Sequence, residues 1–342
     1  MDPLDYALVC ELAANGRASY QALARKFNLA PNTVKNRIKR LHKQGVLRSY
    51  LVIVKLAILG AEHVAGYVST DGTENVIEFM EKIATHPAVA EIYRTGDMRY
   101  EYWAMVSGAS ETLGFGRFLQ NLNSVKEVEL RPIEFLFPNM PPDYYMHSSG
   151  KKVTFNKNQL QVLRSLFDDG RMSVSKIAQR TTFTARRVRK ILRELIEGDG
   201  VSFTVGYNLF ALGDMEYRLK IVYDESQATG QEIINEIYSK YPNDFWWAST
   251  TTNEPLVDIG LIIDRPGSAV PIINEVKTAS YTRSVEDYVS YPRVVTANFP
   301  LRLHLAELLI DADLLDPDNL LWGPRGHFKI SHYLQKKKGY QY

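Results

Sequence analysis

Apolar residues recur at helical spacing in three successive segments at the start of the chain. Leu4, Leu8 and Leu12 follow Asp2-Pro3, a capping residue with proline at the first helical position, and the pattern stops near Asn15-Gly16. Ser19 is placed to cap a short helix with Ala22, Leu23 and Phe27 facing inward, and Asn28 can take the left-handed conformation usually left to glycine. Pro31 fits the first turn of a third helix whose buried stripe is Val34, Ile38 and Leu41. Gly45 ends it, and Val46 to Val54 reads as extended, as a wing would. This order predicts a winged helix-turn-helix, whose third helix can lie in a major groove.

A different rhythm follows. His63 to Ser69 reads as a strand, Val76, Ile77, Met80 and Ile83 share one helix face, and strands are expected at Val89 to Arg94 and Tyr100 to Val106. A helix from Glu111 to Leu122 and an alternating strand from Val125 to Phe137 complete a βαββαβ unit of the ferredoxin-like kind. The same order returns at Tyr217 to Tyr223, Glu232 to Tyr241, Phe245 to Thr251, Leu256 to Ile263, Ala269 to Lys277 and Arg283 to Tyr291. Such a small unit leaves one sheet face uncovered, and two copies can bury those faces against each other.

The front segment returns as well. Gly16-Arg17-x-Ser19 recurs as Gly170-Arg171-x-Ser173, and the same offset relates Ala24 to Ala178, Val34 to Val188 and Leu41 to Leu195, so a long-range duplication is expected. In the second copy Thr184 caps the third helix, and Val188, Leu192 and Leu195 form its stripe. The proline is missing, the turn reads Thr181-Thr182-Phe183, and Gly198 to Val205 makes the extended segment. The expected fold class is α+β: two winged helix-turn-helix domains (1–54 and 153–206) alternating with two ferredoxin-like βαββαβ domains (60–137 and 212–297). A Pro/Ser/Gly-rich linker at 138–152 joins the halves. The residues from 298 onward form a tail, with a helix from Pro300 to Ala312 carrying Leu301, Leu305 and Leu308. Beyond it lies an acid-free end holding Trp322, Arg325, His327, Lys329, His332 and Lys336 to Lys338, for which disorder is the default and DNA or oligomer contacts are alternatives.

Charge sharpens this outline. The formal net charge is only +2, yet no acid falls between Glu11 and Glu62 or between Asp169 and Glu194, where Arg17, Arg37, Arg171 and many other cations lie. Two acid-free basic blocks in a nearly neutral chain are the footprint of two polyanion-binding surfaces, whereas solvated helix faces normally mix both signs. The residues expected to meet double-stranded DNA are Asn32, Thr33, Lys35, Asn36, Lys39, Arg40, Lys43 and Arg48 in the first copy. Their counterparts in the second are Thr184, Arg186, Arg187, Arg189, Lys190 and Arg193. Asparagine can pair bidentately with adenine and arginine with guanine, while the remaining cations neutralise phosphates. A winged helix used only for protein contacts is the bland alternative.

Length and composition set bounds. The 342 residues suit two domains or several small ones, and 45% hydrophobic with 23% charged residues is the make-up of an ordinary globular chain. A single cysteine, Cys10, rules out an internal disulfide framework. The longest apolar stretch, Tyr50 to Ala61, is interrupted by Lys55 and too short to cross a bilayer, so no membrane partner is expected. Asp2 and Asp5 stand where a secretory leader needs a basic segment, which makes the cytoplasm the expected compartment.

With these parts assembled, the chain resembles the Lrp/AsnC (feast/famine) transcriptional regulators along nearly its whole length, twice over. Leu23-Ala24, Leu29-Ala30-Pro31, Arg37-x-x-x-Leu41 and Gly45-Val46 match the family's helix-turn-helix pattern, and Thr95-Gly96-Asp97 matches the turn between the second and third strands of its effector (RAM) domain. In the family each subunit carries one winged helix and one effector domain and dimers bind DNA, so the resemblance implies such a dimer in one polypeptide, with further self-association left open. It also implies an amino acid or similar small effector at Thr95, Gly96 and Asp97. Gly96 can bring backbone N–H groups close to an anionic ligand and Asp97 can accept from an amino group, although a tight turn explains both residues equally well. The second copy shows Thr250-Thr251-Thr252-Asn253 at that place, so its site should be weaker or absent.

No catalytic constellation stands out, and neither a cofactor nor a metal is expected. Gly114-x-Gly116 has Leu119 where a dinucleotide loop needs glycine, and His42, His63, His86, His147, His304, His327 and His332 lack metal-ligand spacing. Sirohaem decarboxylases, which pair two Lrp-like units, supply an enzyme alternative, but they have no need of two basic recognition helices. A small-molecule-sensing adaptor without DNA binding is a third possibility.

Overall fold

The computed structural model describes residues 1–140, 153–290, 293–295, 299–318, 320–323 and 326–329. The chain forms two compact units, each discontinuous in sequence. One comprises Met1–Leu59, Met140–Gly213 and His304–Asp316, the other Gly60–Asn139, Asp214–Leu303 and the stretch from Pro317.

The first unit gathers both sets of three helices. Helices Pro3–Ala14, Tyr20–Lys26 and Pro31–Lys43 precede the strand Leu47–Val54, and helices Lys157–Leu166, Val174–Thr181 and Ala185–Glu197 precede the strand Val201–Tyr207. Local chemistry explains their starts. The Asp2 carboxylate accepts from the Asp5 N–H at 2.8 Å, the Ser19 hydroxyl from Ala22 at 3.0 Å, and Thr184 from Arg187 at 3.2 Å. Asn156 and Gln159 form a reciprocal capping box. Both helix-turn-helix turns pivot on a left-handed residue, Asn28 at φ 52 and Thr182 at φ 57. Leu8, Leu12, Val34, Ile38 and Leu41 are buried in one copy, and Val162, Leu166, Val188 and Leu195 in the other.

The extended segments are not independent wings. Leu47–Val54 pairs antiparallel with Val201–Tyr207, with Leu51 opposite Thr204 and Ile53 opposite Ser202. The burial of Leu51, Val52, Ile53 and Val54 in unbroken succession gives the reason, because a strand enclosed on both faces needs a neighbour from elsewhere in the fold. Close approach is made possible by the repeated glycines. A Cβ on Gly16 would sit 2.5 Å from the Thr204 carbonyl oxygen, and one on Gly170 would sit 2.5 Å from the Leu51 carbonyl carbon.

The second unit holds both βαββαβ segments. The strands of the first are Glu62–Thr70, Val89–Arg94, Tyr100–Val106, Val125–Val128 and Arg131–Leu136. Those of the second are Met215–Tyr223, Phe245–Thr251, Leu256–Ile263 and Thr282–Val289. In each, the first strand lies between the third and the last, and the second strand takes the far edge, which is the ferredoxin-like order. Helices Val76–Ile83 and Gly108–Gln120 in one, and Gly230–Lys240 and Val270–Thr278 in the other, supply Met80, Phe115, Ile233 and Ile272 to the cores.

The strand expected from Val125 to Phe137 is broken. Its chain passes over Gly66, where a Cβ would lie 1.9 Å from the Glu129 carbonyl oxygen, and the Tyr102 hydroxyl donates to that oxygen at 2.5 Å. Beyond the break, Arg131–Leu136 stays paired with Glu62–Thr70, with Ile133 opposite His63, and on its other side pairs with Phe245–Thr251, with Phe135 opposite Ser249. Reciprocally, Arg293–Val295 pairs with Val89–Arg94, with Arg293 opposite Tyr93. Ten strands thus form one sheet.

The tail helix spans Phe299–Asp311, and its buried residues include Leu301, Leu303, Leu305, Ala306 and Leu309; Leu308 is only half-buried. The tail beyond it, for which disorder was the default, forms a hairpin of Leu320–Gly323 with Gly326–Lys329, in which Trp322 stands opposite His327. Arg325, His332, Lys336 to Lys338 and most of the 138–152 linker lie outside the described residues.

Candidate nucleic-acid interface and effector turn

The two recognition helices carry the expected polar residues on their open faces. Asn32, Thr33, Lys35, Asn36, Lys39, Arg40, Lys43 and Arg48 are exposed, as are Thr184, Arg186, Arg187, Arg189, Lys190 and Arg193. Their surroundings separate them. Lys35, Lys39, Lys43, Arg48, Arg186, Arg189 and Arg193 have no ion-pair partner among the described residues. Arg40 pairs with the buried Asp5 and lies 3.7 Å from Asp2. Arg37 reaches the same two acids at 2.7 and 2.8 Å, and these hydrogen bonds raise its pKa. Lys190 approaches Glu194 at 3.7 Å, and the Arg187 guanidinium lies 4.2 Å from the centre of the Phe183 ring. Thr184 uses its hydroxyl as the helix cap.

Two arginines of the basic blocks face inward instead. The Arg17 guanidinium donates to the carbonyls of Gly170 at 2.6 Å and Met172 at 2.9 Å, and Arg171 donates to that of Ala18 at 2.7 Å. Arg171 also lies over the rings of Tyr20 and Tyr50, and Arg17 over Phe203. The recurrence of Gly-Arg in the sequence marks this clasp between the two winged helices, so these cations cannot be counted among those presented to a polyanion.

In the second unit, the side chain of Asp97 is already engaged. One carboxylate oxygen accepts from the Thr95 hydroxyl, and the other accepts from Arg99 Nε at 2.5 Å. Burial opposes its charge, but the Arg99 guanidinium and the Thr95 hydroxyl hold the carboxyl below its ordinary range. The left-handed residue of the turn is Met98, at φ 72, rather than Gly96, whose added Cβ would lie 3.3 Å from that of Tyr288.

Sequence reading missed a buried ionic network between the two βαββαβ segments. Arg218 is fully buried and donates from Nη2 to Glu101 at 2.8 Å and from Nε to Asp258 at 3.2 Å, while Nη1 meets the Tyr93 hydroxyl. Tyr288 donates to Glu101 at 3.0 Å, and Trp247 to Glu216 at 2.9 Å. Glu101 and Asp258 are lone charges in otherwise apolar strands, whereas Glu216, Arg218 and Lys220 alternate along Met215–Tyr223, so only the presence of opposite charges on facing strands could have signalled the network. Among the described residues no His/Cys/Asp/Glu group could hold a metal ion, and no helix is long and apolar enough to cross a membrane.

Paired three-helix modules with exposed polar third helices define a winged helix-turn-helix protein. Residues 1–48 match the model for winged helix-turn-helix DNA-binding domains. An uncharacterised HTH-type transcriptional regulator of Pyrococcus furiosus is 30% identical over 130 residues, which is 38% of this chain and 86% of that protein. The chain therefore belongs to the HTH-type transcriptional regulators of the Lrp/AsnC family. A second uncharacterised regulator from Pyrococcus furiosus is 40% identical over 60 residues, 18% of this chain, and the match spans only 39% of that relative's own length. Among solved structures, the siroheme decarboxylase NirDL shares the fold at a TM-score of 0.55 and 11% identity, over 91% of this chain and 99% of that one.

Proposed function

We propose that the chain is a sequence-specific DNA-binding transcriptional regulator in which both recognition helices of one polypeptide engage the same duplex. The observation that carries this reading is the exposed set Lys35, Lys39, Lys43, Arg186, Arg189 and Arg193, on the helices that a winged helix inserts into the major groove and without acidic partners among the described residues. In this reading residues 1–54 and 153–206 bind DNA, 60–137 and 212–297 form effector domains, 138–152 joins the halves, and residues from 298 form the tail. Duplex affinity should fall steeply with salt. Exchanging Arg186, Arg187 and Arg189 for glutamate should abolish tight binding while leaving the fold intact. If that variant binds as well as the parent, the second copy does not contact DNA.

An amino-acid effector at Thr95, Gly96 and Asp97 is a finer proposal. Calorimetry of the full chain against the common amino acids should find one strong site, lost on Gly96→Trp. Two equivalent sites, or binding unchanged by the substitution, would remove this turn from consideration. The shared fold of the siroheme decarboxylase favours a second reading, an enzyme on the same scaffold. Purified protein that carries a bound tetrapyrrole and shifts no duplex would decide for it; colourless protein that shifts duplex decides for the regulator. A sensing adaptor predicts no salt-dependent duplex affinity.

A further inference from the structure

We infer that the two recognition helices divide the work: the first reads bases and the second holds the phosphate backbone. This rests on the DNA-binding reading above. The outward positions of the first helix combine Asn32, Thr33 and Asn36 with Lys35 and Lys39, whereas the matching positions of the second are Arg186, Arg187, Lys190, Arg189 and Arg193. The first set contains two amides, each able to make the bidentate pair that selects adenine. Every member of the second set is cationic, and a dense cluster of cations neutralises phosphates whatever the sequence beneath them.

The rest of each module sharpens the difference. Asp2 and Asp5 pair with Arg37 and Arg40 in the first module, leaving those two cations largely neutralised. At the corresponding positions of the second module stand Asn156 and Gln159, uncharged residues engaged in the capping box of their own helix. Over the five matched helix positions the first surface therefore carries two cations against five, and more hydrogen-bonding variety than the second. Lys190 alone of the second cluster has an acidic neighbour within reach, Glu194 at 3.7 Å, and Arg186, Arg189 and Arg193 have none among the described residues.

Operators should accordingly contain one well-defined half-site with adenine at its informative positions and, about one helical turn away, a degenerate half-site. The test uses the full chain, a duplex selected by it from a random library, and a scrambled duplex of equal length, with affinities measured from 50 to 200 mM salt. Replacing Arg186, Arg189 and Arg193 by glutamine should weaken both duplexes by the same factor and reduce the slope of log affinity against log salt by about 2.7. Replacing Asn32 and Asn36 by alanine should weaken the selected duplex about 30-fold or more, leave the scrambled one unchanged and preserve the slope. Loss of discrimination in the glutamine variant, a guanine-rich second half-site, or discrimination retained in the alanine variant overturns the division of labour while DNA binding itself stands. A parent chain with no salt-dependent affinity for either duplex overturns both.

Discussion

Arg17 and Arg171 reach across to each other's loops, so that each guanidinium is bound by main-chain carbonyls of the opposite winged helix. Arg17 takes Gly170 and Met172, and Arg171 takes Ala18. Glycine precedes each arginine because the opposing strand passes too close for a Cβ. The clasp and the shared two-stranded ribbon together join the two winged helices into one body, and they account for cations that charge counting alone assigns to a polyanion.

Truncating Arg17 to alanine removes two charge-assisted hydrogen bonds and should cost about 2–3 kcal/mol in denaturant-induced unfolding. Lysine should recover little, since a single ammonium cannot reproduce the fork that spans two carbonyls. Because Arg17 is not presented to DNA, an Arg17→Gln chain should retain the parent's salt slope. A smaller slope would show that this arginine contacts phosphate.

Thr182 is a β-branched residue held at φ 57, a region that costs non-glycine residues about 1–2 kcal/mol. Thr182→Gly should therefore stabilise the protein by about 1 kcal/mol, after allowance for glycine's greater freedom in the unfolded chain. A fall in the unfolding midpoint would mean that the bond from the Thr182 hydroxyl to the Thr181 carbonyl contributes more than the strain costs.

Burial pushes the pKa of His63 down to about 4 and that of His86 to about 3. The Ala88 N–H donates to His86 Nδ1, which requires that nitrogen to be unprotonated. Both folded values lie below the unfolded value of 6.5, so the unfolded chain binds protons first as pH falls. Stability present above pH 6.5 should be lost on acidification toward pH 4, by about 3 kcal/mol from His63. Burial raises Glu101 to about 6, which opposes this trend between its unfolded value of 4.5 and pH 6 and is the smaller effect. Stability measured from pH 7 to 4 should fall less steeply in His63→Met than in the parent; parallel curves would rule out His63 as a source of acid lability.

Arg218→Met should be among the most damaging single changes, at about 3–5 kcal/mol, because it strands Glu101 and Asp258 without their buried counter-charge. Urea unfolding of the full chain measures it. A loss below about 1 kcal/mol would mean that the two acids are protonated or rehydrated without cost in the variant.

Much of the architecture was open to a reader of the sequence because the forces behind it act over short distances. Capping by Asp2, Ser19 and Thr184, the left-handed turn at Asn28, and the stripes Val34–Ile38–Leu41 and Val188–Leu192–Leu195 depend on neighbours within a turn or two. The βαββαβ order followed from apolar periodicity in the same way. The candidate DNA-facing residues were legible for a related reason, since a residue off the apolar stripe of a helix points away from the core.

Tertiary structure decided which strands pair and which cations remain available. Nothing within Leu47–Val54 names Val201–Tyr207 as its partner, and nothing local distinguishes Arg17 or Arg40 from Lys35 or Lys39. Those outcomes depend on carbonyls and carboxylates brought near by the fold from distant parts of the chain. The Arg218 network shows the same limit, for its acids lie on two other strands and its stability depends on a joint desolvation that no single segment encodes. Sequence periodicity set the elements and their outward faces, while long-range proximity determined the charge that those faces retain.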